Sequence, residues 1–292
     1  MLRKNSLNLS VLFCLCLPPA LMAVENAASH VPNLTVVQIV EKHVAARGGM
    51  QAWRTVQAMS MSGKMDAGSG DSVARSERAA RGAMGAASRK VRAGTASASG
   101  KGAAGTQVQL PFVLQIKGPT KSRLEIEFAG KTALQVYDGT NGWKVRPFLN
   151  RNEVEPFTAE EAKEAQGKKN LDIPLFDYAA KGTKLTLEGA EPVEGRDAYK
   201  LKLTMKNGAV QHIWIDAQSF LDVKVEGIPR KMDGRMHNVW VYQRDFRAVD
   251  GIKLPFLVET AVEGYPDTHK MVIEKVALNP KLDDAMFAKP RV

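Results

Sequence analysis

The sequence predicts a mainly β protein: a strongly curved antiparallel sheet, an open half-barrel of about eleven strands, with a few helices covering its concave face. From Val108 onward most segments alternate apolar and polar residues with a period of two, which is typical of half-buried strands. Short turn sequences such as Lys206-Asn207-Gly208 and Val249-Asp250-Gly251 join successive strands, so neighbouring strands must run antiparallel. Helix-forming segments occur in only two places, and no crossover helix separates successive strands.

The segment Arg123–Phe128 shows this alternation most clearly. Leu124, Ile126 and Phe128 point to one face of the strand, whereas the intervening residues are all charged. This pattern predicts a sheet with one dry face and one wet face.

A β-hairpin is predicted around the turn Asp138-Gly139-Thr140-Asn141-Gly142. Asp, Asn and Gly supply the positive φ angles and the local hydrogen bonds of a tight reversal. The flanking runs Thr132–Tyr137 and Trp143–Val145 alternate, and Pro147 ends the second strand. A hairpin is unstable alone, so further strands must lie beside it.

The first helical segment, Leu34–Arg47, begins with a capping box in which Thr35 is the N-cap and Gln38 follows three residues later. Gly48-Gly49 ends it. His43 lies on its apolar face, which favours a packed core histidine over a metal ligand.

The second helical cluster comprises Thr158–Gln166, which Thr158 caps, and the apolar stretch Leu171–Ala180, which Pro174 interrupts. We expect both to be helical. Together with the first helix and a short turn at Met50–Arg54, they would cover the concave face.

Residues 1–23 have the pattern of an export signal. Arg3 and Lys4 precede the apolar run Val11–Leu17, and small residues lead to a cleavage site after Ala23, with Ala28 as the alternative. The apolar run is too short to span a bilayer. The sequence therefore predicts a periplasmic protein whose mature part is a single domain, residues 24–292.

Both cysteines, Cys14 and Cys16, lie inside the predicted signal. The mature chain would thus contain no cysteine, which excludes disulfides, thiolate nucleophiles and Cys-ligated zinc. Neither cysteine follows the small residue that lipid attachment requires.

Residues 66–106 read as a low-complexity, disordered insertion between two strands. Gly, Ala and Ser make up 26 of these 41 residues, too little apolar surface to offset the entropy of ordering. The arginines of the insertion could contact anionic lipid headgroups, although a solvated loop is the simpler interpretation. Of the net charge of +10, the signal supplies two and the insertion four. The mildly basic remainder does not indicate nucleic-acid binding.

Motifs of catalysis are not found in the sequence. None of the five histidines forms a metal-ligand pair of the H-x-x-x-H type, and there is no G-x-S-x-G elbow. The acidic pairs Glu160-Glu161 and Asp283-Asp284 fall in predicted first turns of helices, where carboxylates stabilise the backbone dipole. We therefore expect no enzyme activity, no metal and no cofactor.

The hairpin pattern Asp138-Gly139-x-x-x-Trp143-x-x-x-Pro147-Phe148 resembles the D-G-x-x-x-W-x-x-x-P-F hairpin of LolA-like proteins, the periplasmic carriers of outer-membrane lipoproteins. The resemblance extends over nearly the whole mature chain outside the insertion. It includes the Ala-Arg-Gly-Gly end of the first helix, the run Ala198–Leu203 leading to Ile213–Asp216, and Val249–Pro255.

This resemblance implies an incomplete antiparallel barrel that helices cover, with acyl chains carried in its cavity. Keeping a lipid tail from water is worth about 0.8 kcal/mol per methylene. One departure concerns the cover: an arginine that precedes a proline in the family's carriers, and helps to hold the cover closed, corresponds to Gly118 before Pro119 here.

The first hypothesis is thus a lipid- or lipoprotein-binding carrier, expected to be monomeric. The candidates for its cavity lining are Phe112, Leu114, Leu124, Ile126, Phe128, Trp143, Leu201, Leu203, Trp240 and Phe256. The strand pattern does not separate cavity lining from ordinary core. The second hypothesis is a non-enzymatic envelope interaction module whose concave face is filled by its own side chains, and which binds a partner through an edge strand or through the insertion.

Overall fold

The computed structural model describes residues 31–67, 108–147, 150–167 and 171–291. The expected signal peptide and nearly all of the expected insertion lie outside these residues, so both stay predictions. Asp66, expected to begin the insertion, is instead the buried last residue of the first strand. Its carboxylate accepts a hydrogen bond from the backbone N–H of Lys270 at 2.9 Å.

Thirteen strands form one antiparallel sheet, in the order β6-β5-β4-β3-β2-β1-β15-β14-β13-β10-β9-β8-β7, and a small hairpin, β11–β12, forms a second. The sheet is not closed, since β6 and β7 are its two edges. The predicted fold class is confirmed, with thirteen strands in the sheet where about eleven were expected. The strands are β1 Ala58–Asp66, β2 Gln109–Lys117, β3 Lys121–Phe128, β4 Lys131–Tyr137, β5 Gly142–Arg146, β6 Arg151–Pro156, β7 Lys184–Val193, β8 Arg196–Thr204, β9 Val210–Asp216, β10 Asp222–Glu226, β11 Arg230–Met232, β12 Arg235–His237, β13 Val239–Val249, β14 Ile252–Val262 and β15 His269–Leu278.

Three of these strands were missed at the sequence level. β6 is an edge strand with almost no apolar residue, so no alternation marks it. β11 and β12 have only three residues each, too few for a period to show. The predicted hairpin β4–β5 is present, with Tyr137 paired to Gly142 across its turn.

The helices are α1 Val36–Ala46, α2 Met50–Arg54 and α3 Ala159–Gly167, and a 3-10 turn spans Asp284–Phe287. The capping box of α1 is confirmed, because Thr35 and Gln38 exchange both hydrogen bonds. The helix predicted over Leu171–Ala180 was wrong. This segment forms turns: Pro174 lacks an N–H, and Asp177 has a left-handed φ of +49°.

One face of the sheet, here called the inner face, packs against the helices. Under α1, Ile39 and Val40 contact an apolar cluster from β8 and β9 that includes Leu201 and Ile213. A second cluster lies beneath α2 and the turn segment. It contains Trp53, Phe112, Phe176, Phe256 and Ile273, with a rim of partly exposed apolar residues. The other face is called the outer face.

Arg47, at the end of α1, ties this helix to two separate strands. Its Nη1 donates to Asp222 Oδ1 of β10 at 2.8 Å, and both side chains are almost fully buried. Its carbonyl oxygen accepts bonds from the Trp53 indole N–H at 2.9 Å and from the Lys253 backbone N–H of β14 at 3.0 Å. This buried ion pair and the two bonds to the Arg47 carbonyl therefore fix the end of α1 on the sheet.

His43 lies beside this pair with 1% of its surface exposed, as the core interpretation expected. Its Nδ1 lies 2.9 Å from the carbonyl oxygen of Phe220 and 3.9 Å from Asp222 Oδ1. A carbonyl only accepts, so Nδ1 carries the proton. Burial lowers the pKa of His43 below its ordinary 6.5, although the Asp222 carboxylate opposes this shift.

Replacing Arg47 by Met should lower the free energy of unfolding by about 3–5 kcal/mol, because the Asp222 carboxylate would remain buried without its partner. The matched control is Arg54→Met. Arg54 pairs with Asp177 in an exposed ion pair, which is worth at most about 1 kcal/mol. Chemical denaturation of both variants measures the difference, and equal losses would contradict the anchoring role.

Stability should fall as the pH falls below 6.5, the ordinary pKa of histidine. The folded-state pKa of His43 is lowered, so the unfolded chain takes up the proton first and protonation favours unfolding. The stabilisation that comes from keeping His43 neutral is complete above pH 6.5, and it is lost as the pH falls toward the folded-state pKa of His43. Denaturation curves between neutral and mildly acidic pH measure this slope, which should be flatter in His43→Gln. An unchanged slope in that variant would refute the assignment.

Candidate functional site

Eight of the ten predicted lining residues lie on the inner face. The strand pairing determines on which face each residue lies, because side chains alternate along a strand and directly paired residues share a face. In β2 and β3, Phe112 pairs with Ile126 and Leu114 pairs with Leu124. The same face continues to Phe128 in β3, to Phe256 in β14, and to Leu201 and Leu203 in β8.

The two predicted tryptophans lie on the outer face, which corrects their expected place in the cavity. Trp143 neighbours Lys144, whose side chain points inward, so its own ring points outward. Trp240 packs edge-on against Trp214 with ring centroids 5.8 Å apart. The ammonium of Lys224 lies 4.3 Å from the centroid of each of these rings. Burial lowers the pKa of Lys224.

The inner face is filled at one part and open at another. Leu201 and Leu203 are fully buried under α1, so they form ordinary core. Phe112 and Phe256 are likewise buried, in the cluster beneath α2. Leu114, Leu124 and Ile126 are only partly buried, and Phe128 is 43% exposed. The β2–β4 part of the inner face thus leaves apolar surface accessible.

A cavity of about 290 Å³ lies at this open part, between strands β2–β4 and helix α3. Its apolar lining comes mainly from Leu114, Ile116, Leu124, Phe157 and Ala165, and its polar lining from Thr120, Ser122, Gln135, Glu161 and Glu164. Tyr137 also lines it, stacked parallel to Phe157 with centroids 6.4 Å apart. The buried hydroxyl of Tyr137 has no hydrogen-bond partner among the described residues.

Helix α3 is held over the cavity by an ion pair that the sequence did not reveal. Lys144, whose side chain is 7% exposed, places its ammonium 2.6 Å from both carboxylate oxygens of Glu161. Glu161 also closes a capping box with Thr158, since each backbone N–H donates to the other's side chain. Partial burial raises the pKa of Glu161, but the bonds from Lys144 and Thr158 outweigh it and leave the pKa lowered. The spacing Thr-x-x-Glu could have identified this cap.

The position of Phe157 depends on Gly142, the residue beneath it. A Cβ atom on Gly142 would lie 2.0 Å from the Phe157 ring, so only glycine allows this approach. The backbone N–H of Phe157 donates to the Gly142 carbonyl at 2.9 Å. The Asp-Gly-Thr-Asn-Gly turn therefore both forms the hairpin and leads into the cover.

Gly118, which the motif resemblance aligned with an arginine, is a glycine for a backbone reason. Gly118 has a φ of +60°, a conformation that favours glycine, and its N–H donates to the Gln57 carbonyl at 2.8 Å. It lines a second cavity of about 250 Å³ with Val56, Pro119 and Leu171. Gly118 has no side chain that could contact the helices, whereas the Lys144–Glu161 ion pair contacts α3.

Within the described part of the chain, no group of three or more His, Cys, Asp or Glu side chains could hold a metal ion. His212 is engaged by two carboxylates, with Nδ1 2.6 Å from Glu226 and Nε2 3.4 Å from Glu188. The Nδ1 of His237 lies 3.0 Å from the carbonyl oxygen of Glu263. The arrangement at the cavity can bind an apolar group, and we derive no reaction from it.

No protein-family model matches the chain, and no curated protein matches it in sequence. Among solved structures it is similar to a DUF1329 family protein from Desulfovibrio piger ATCC 29098, with a TM-score of 0.51 and 15% identity over 87% of this chain and 97% of that one. A putative outer membrane lipoprotein-sorting protein domain from Vibrio parahaemolyticus gives 0.49 and 13%, over 87% and 96%. A LolA superfamily protein from Nitrosomonas europaea gives 0.48 and 15%, over 88% and 98%.

Replacing Glu161 by Gln should loosen α3, because the ammonium of the nearly buried Lys144 would lose its charged partner. Hydrogen exchange of the amides in residues 159–167 should become faster, while exchange in β8 and β9 stays unchanged. The control is Glu160→Gln, one residue earlier and exposed. Equal exchange in both variants would show that the ion pair does not hold the helix.

The overlap with the DUF1329 protein shows that the two chains share a fold. This fold, an unclosed antiparallel sheet with helices on one face, is the architecture that the resemblance to LolA-like proteins implied.

Proposed function

We propose that this protein is a periplasmic carrier that shelters the acyl chains of a lipid or lipoprotein on its inner face, in outer-membrane lipoprotein sorting. The observation that carries the proposal is the cavity of about 290 Å³ between β2–β4 and α3. Its Leu114, Leu124 and Phe157 walls offer an apolar chain shelter from water, at about 0.8 kcal/mol per methylene.

A row of partly exposed apolar side chains supports a ligand larger than this cavity. Met61 of β1 pairs with Leu114, and Met65 lies further along the same face. Ile126 and Phe128 extend the row along β3. Methionine adapts its shape readily, which suits a surface that must accept flexible chains.

Helix α3 is held over the cavity by polar contacts, which supports the proposal that this helix can move away from the cavity. At about 290 Å³ the cavity lies near the lower limit of about 300 Å³ for ligand sites. The Lys144–Glu161 ion pair and a capping box contribute to holding α3, and this helix has no buried residue. Displacing it would enlarge the site over Leu124 and Gln135 without disturbing the core under α1.

We propose binding rather than catalysis, and location in the periplasm. The signal-like pattern of residues 1–23 supports export. Among the described helices, none is long and apolar enough to cross a membrane. The motif resemblance to LolA-like proteins supplies the cargo class, lipids or acylated proteins.

Replacing Leu124 by Glu should lower the affinity for a fluorescent acyl probe such as parinaric acid by at least about tenfold, because a carboxylate would have to be desolvated beside the bound chain. Ala165→Phe is a second variant, which fills the cavity from the α3 side. The control Val37→Glu places the same charge on an exposed position of α1. Fluorescence titration of the folded variants, checked by thermal melting, measures the effect.

Unchanged affinity in both folded cavity variants would refute the proposed site. A loss in Val37→Glu as large as in Leu124→Glu would show that charge alone, not the cavity, weakens binding.

The envelope interaction module is a second candidate, and one observation favours it. Under α1 the inner face is filled by its own side chains, with Leu201 and Leu203 at most 1% exposed. If the β2–β4 part were filled in solution as well, no acyl probe would bind. The edge strands β6 and β7 would then be the surfaces for a partner strand.

A further inference from the structure

The hairpin β11–β12 projects beyond the main sheet as a continuation of the β10–β13 pair. Gly227 donates its N–H to the Val239 carbonyl at 2.8 Å, and the chain then leaves the sheet. At the tip, Asp233 and Gly234 have φ values of +50° and +80°. Both central residues are thus left-handed, as in the type I′ turn of two-residue hairpins.

This hairpin and the short segment that leads into it carry the two most exposed large apolar side chains among the described residues. Ile228 is 66% exposed and Met236 is 63% exposed. Single exposed apolar residues are ordinary on a protein surface. Two exposed apolar residues so close together form an apolar surface that a binding partner or a membrane can cover.

The same hairpin is basic. Arg230, Lys231 and Arg235 are exposed, and none of the three forms an ion pair with another described residue. The one carboxylate between residues 228 and 237, Asp233, is engaged by the Tyr265 hydroxyl. The hairpin thus offers cations beside apolar side chains, the combination that binds at the surface of an anionic bilayer.

Three further exposed apolar residues lie at the same end of the sheet. The hairpin connects the end of β10 to the start of β13. Because all neighbouring strands are antiparallel, the end of β3 and the starts of β2 and β9 lie at this same end of the sheet. Phe128, Val108 and Val210 lie there, each more than 40% exposed. Of the six exposed large apolar residues described, only Val37 of α1 lies elsewhere.

We propose that this end of the sheet docks on an anionic phospholipid bilayer, with the β11–β12 hairpin as its anchor. Arg230, Lys231 and Arg235 contact phosphate-bearing headgroups, while Ile228 and Met236 enter the interfacial layer. The proposal does not depend on the carrier function, since the hairpin takes no part in lining the cavity.

Flotation of the full secreted protein with vesicles tests this proposal. Wild-type protein should float with vesicles that contain phosphatidylglycerol, should stay unbound with phosphatidylcholine alone, and should bind less as salt is raised. Arg230→Gln/Lys231→Gln should weaken binding at least about tenfold, because each cation near an anionic surface contributes strongly. Ile228→Ser/Met236→Ser should weaken it by a similar factor through lost apolar burial.

The matched controls keep the same chemistry at other places on the surface. Lys275→Gln/Lys281→Gln removes two exposed lysines toward the opposite end of β15, and Val37→Ser removes the exposed apolar side chain of α1. Both controls should float like wild type. Wild-type protein that fails to float with phosphatidylglycerol vesicles would overturn the proposal, as would equal binding to phosphatidylcholine or hairpin variants that bind as tightly as the controls. The acyl-probe affinity of the hairpin variants should equal that of wild type.

Discussion

The buried contact between Arg47 and Asp222 is the constraint on which the inner face depends. It joins the end of α1 to β10, while the carbonyl of Arg47 receives N–H groups from Trp53 and from β14. Burying an ion pair is costly, and losing one partner would leave an uncompensated buried charge. The end of α1 is therefore fixed on the sheet, and apolar side chains of the helix and of the sheet pack together beneath it.

The contrast between the two parts of the inner face follows from how each is covered. Beneath α1 and α2 the cover contributes buried residues such as Ile39 and Trp53, which pack into the apolar clusters of the sheet. Over β2–β4 the cover is α3, a polar helix without a buried residue, which an ion pair and a cap hold in place. Because no apolar side chain of α3 is buried and Glu161 is 41% exposed, the proposed opening of this part of the face would leave the apolar core in place.

Much of this architecture could be predicted from the sequence, because alternation and turn chemistry are local signals. The strand Arg123–Phe128, the hairpin at Asp138–Gly142 and the capping box at Thr35 all formed as expected. The errors have physical causes: Leu175 and Phe176 of the apolar run Leu171–Ala180 are buried without being helical, since side-chain burial does not need a helix. Trp143 and Trp240 show why the lining of the site was predicted only in part. A period of two assigns residues to two faces of a strand, but it does not show which face the helices cover. Lys144 and Glu161 lie 17 residues apart in the chain, and only the folded structure shows their contact.

The carrier function requires a site for acyl chains on the inner face. Native mass spectrometry of the protein, purified from a periplasmic extract without detergent, would reveal such a ligand. We expect defined mass additions that dissociate as phospholipid or acylated peptide, and that are lost from Leu124→Glu. A bare protein mass that persists after incubation with lipid vesicles would contradict the carrier and would favour the envelope interaction module.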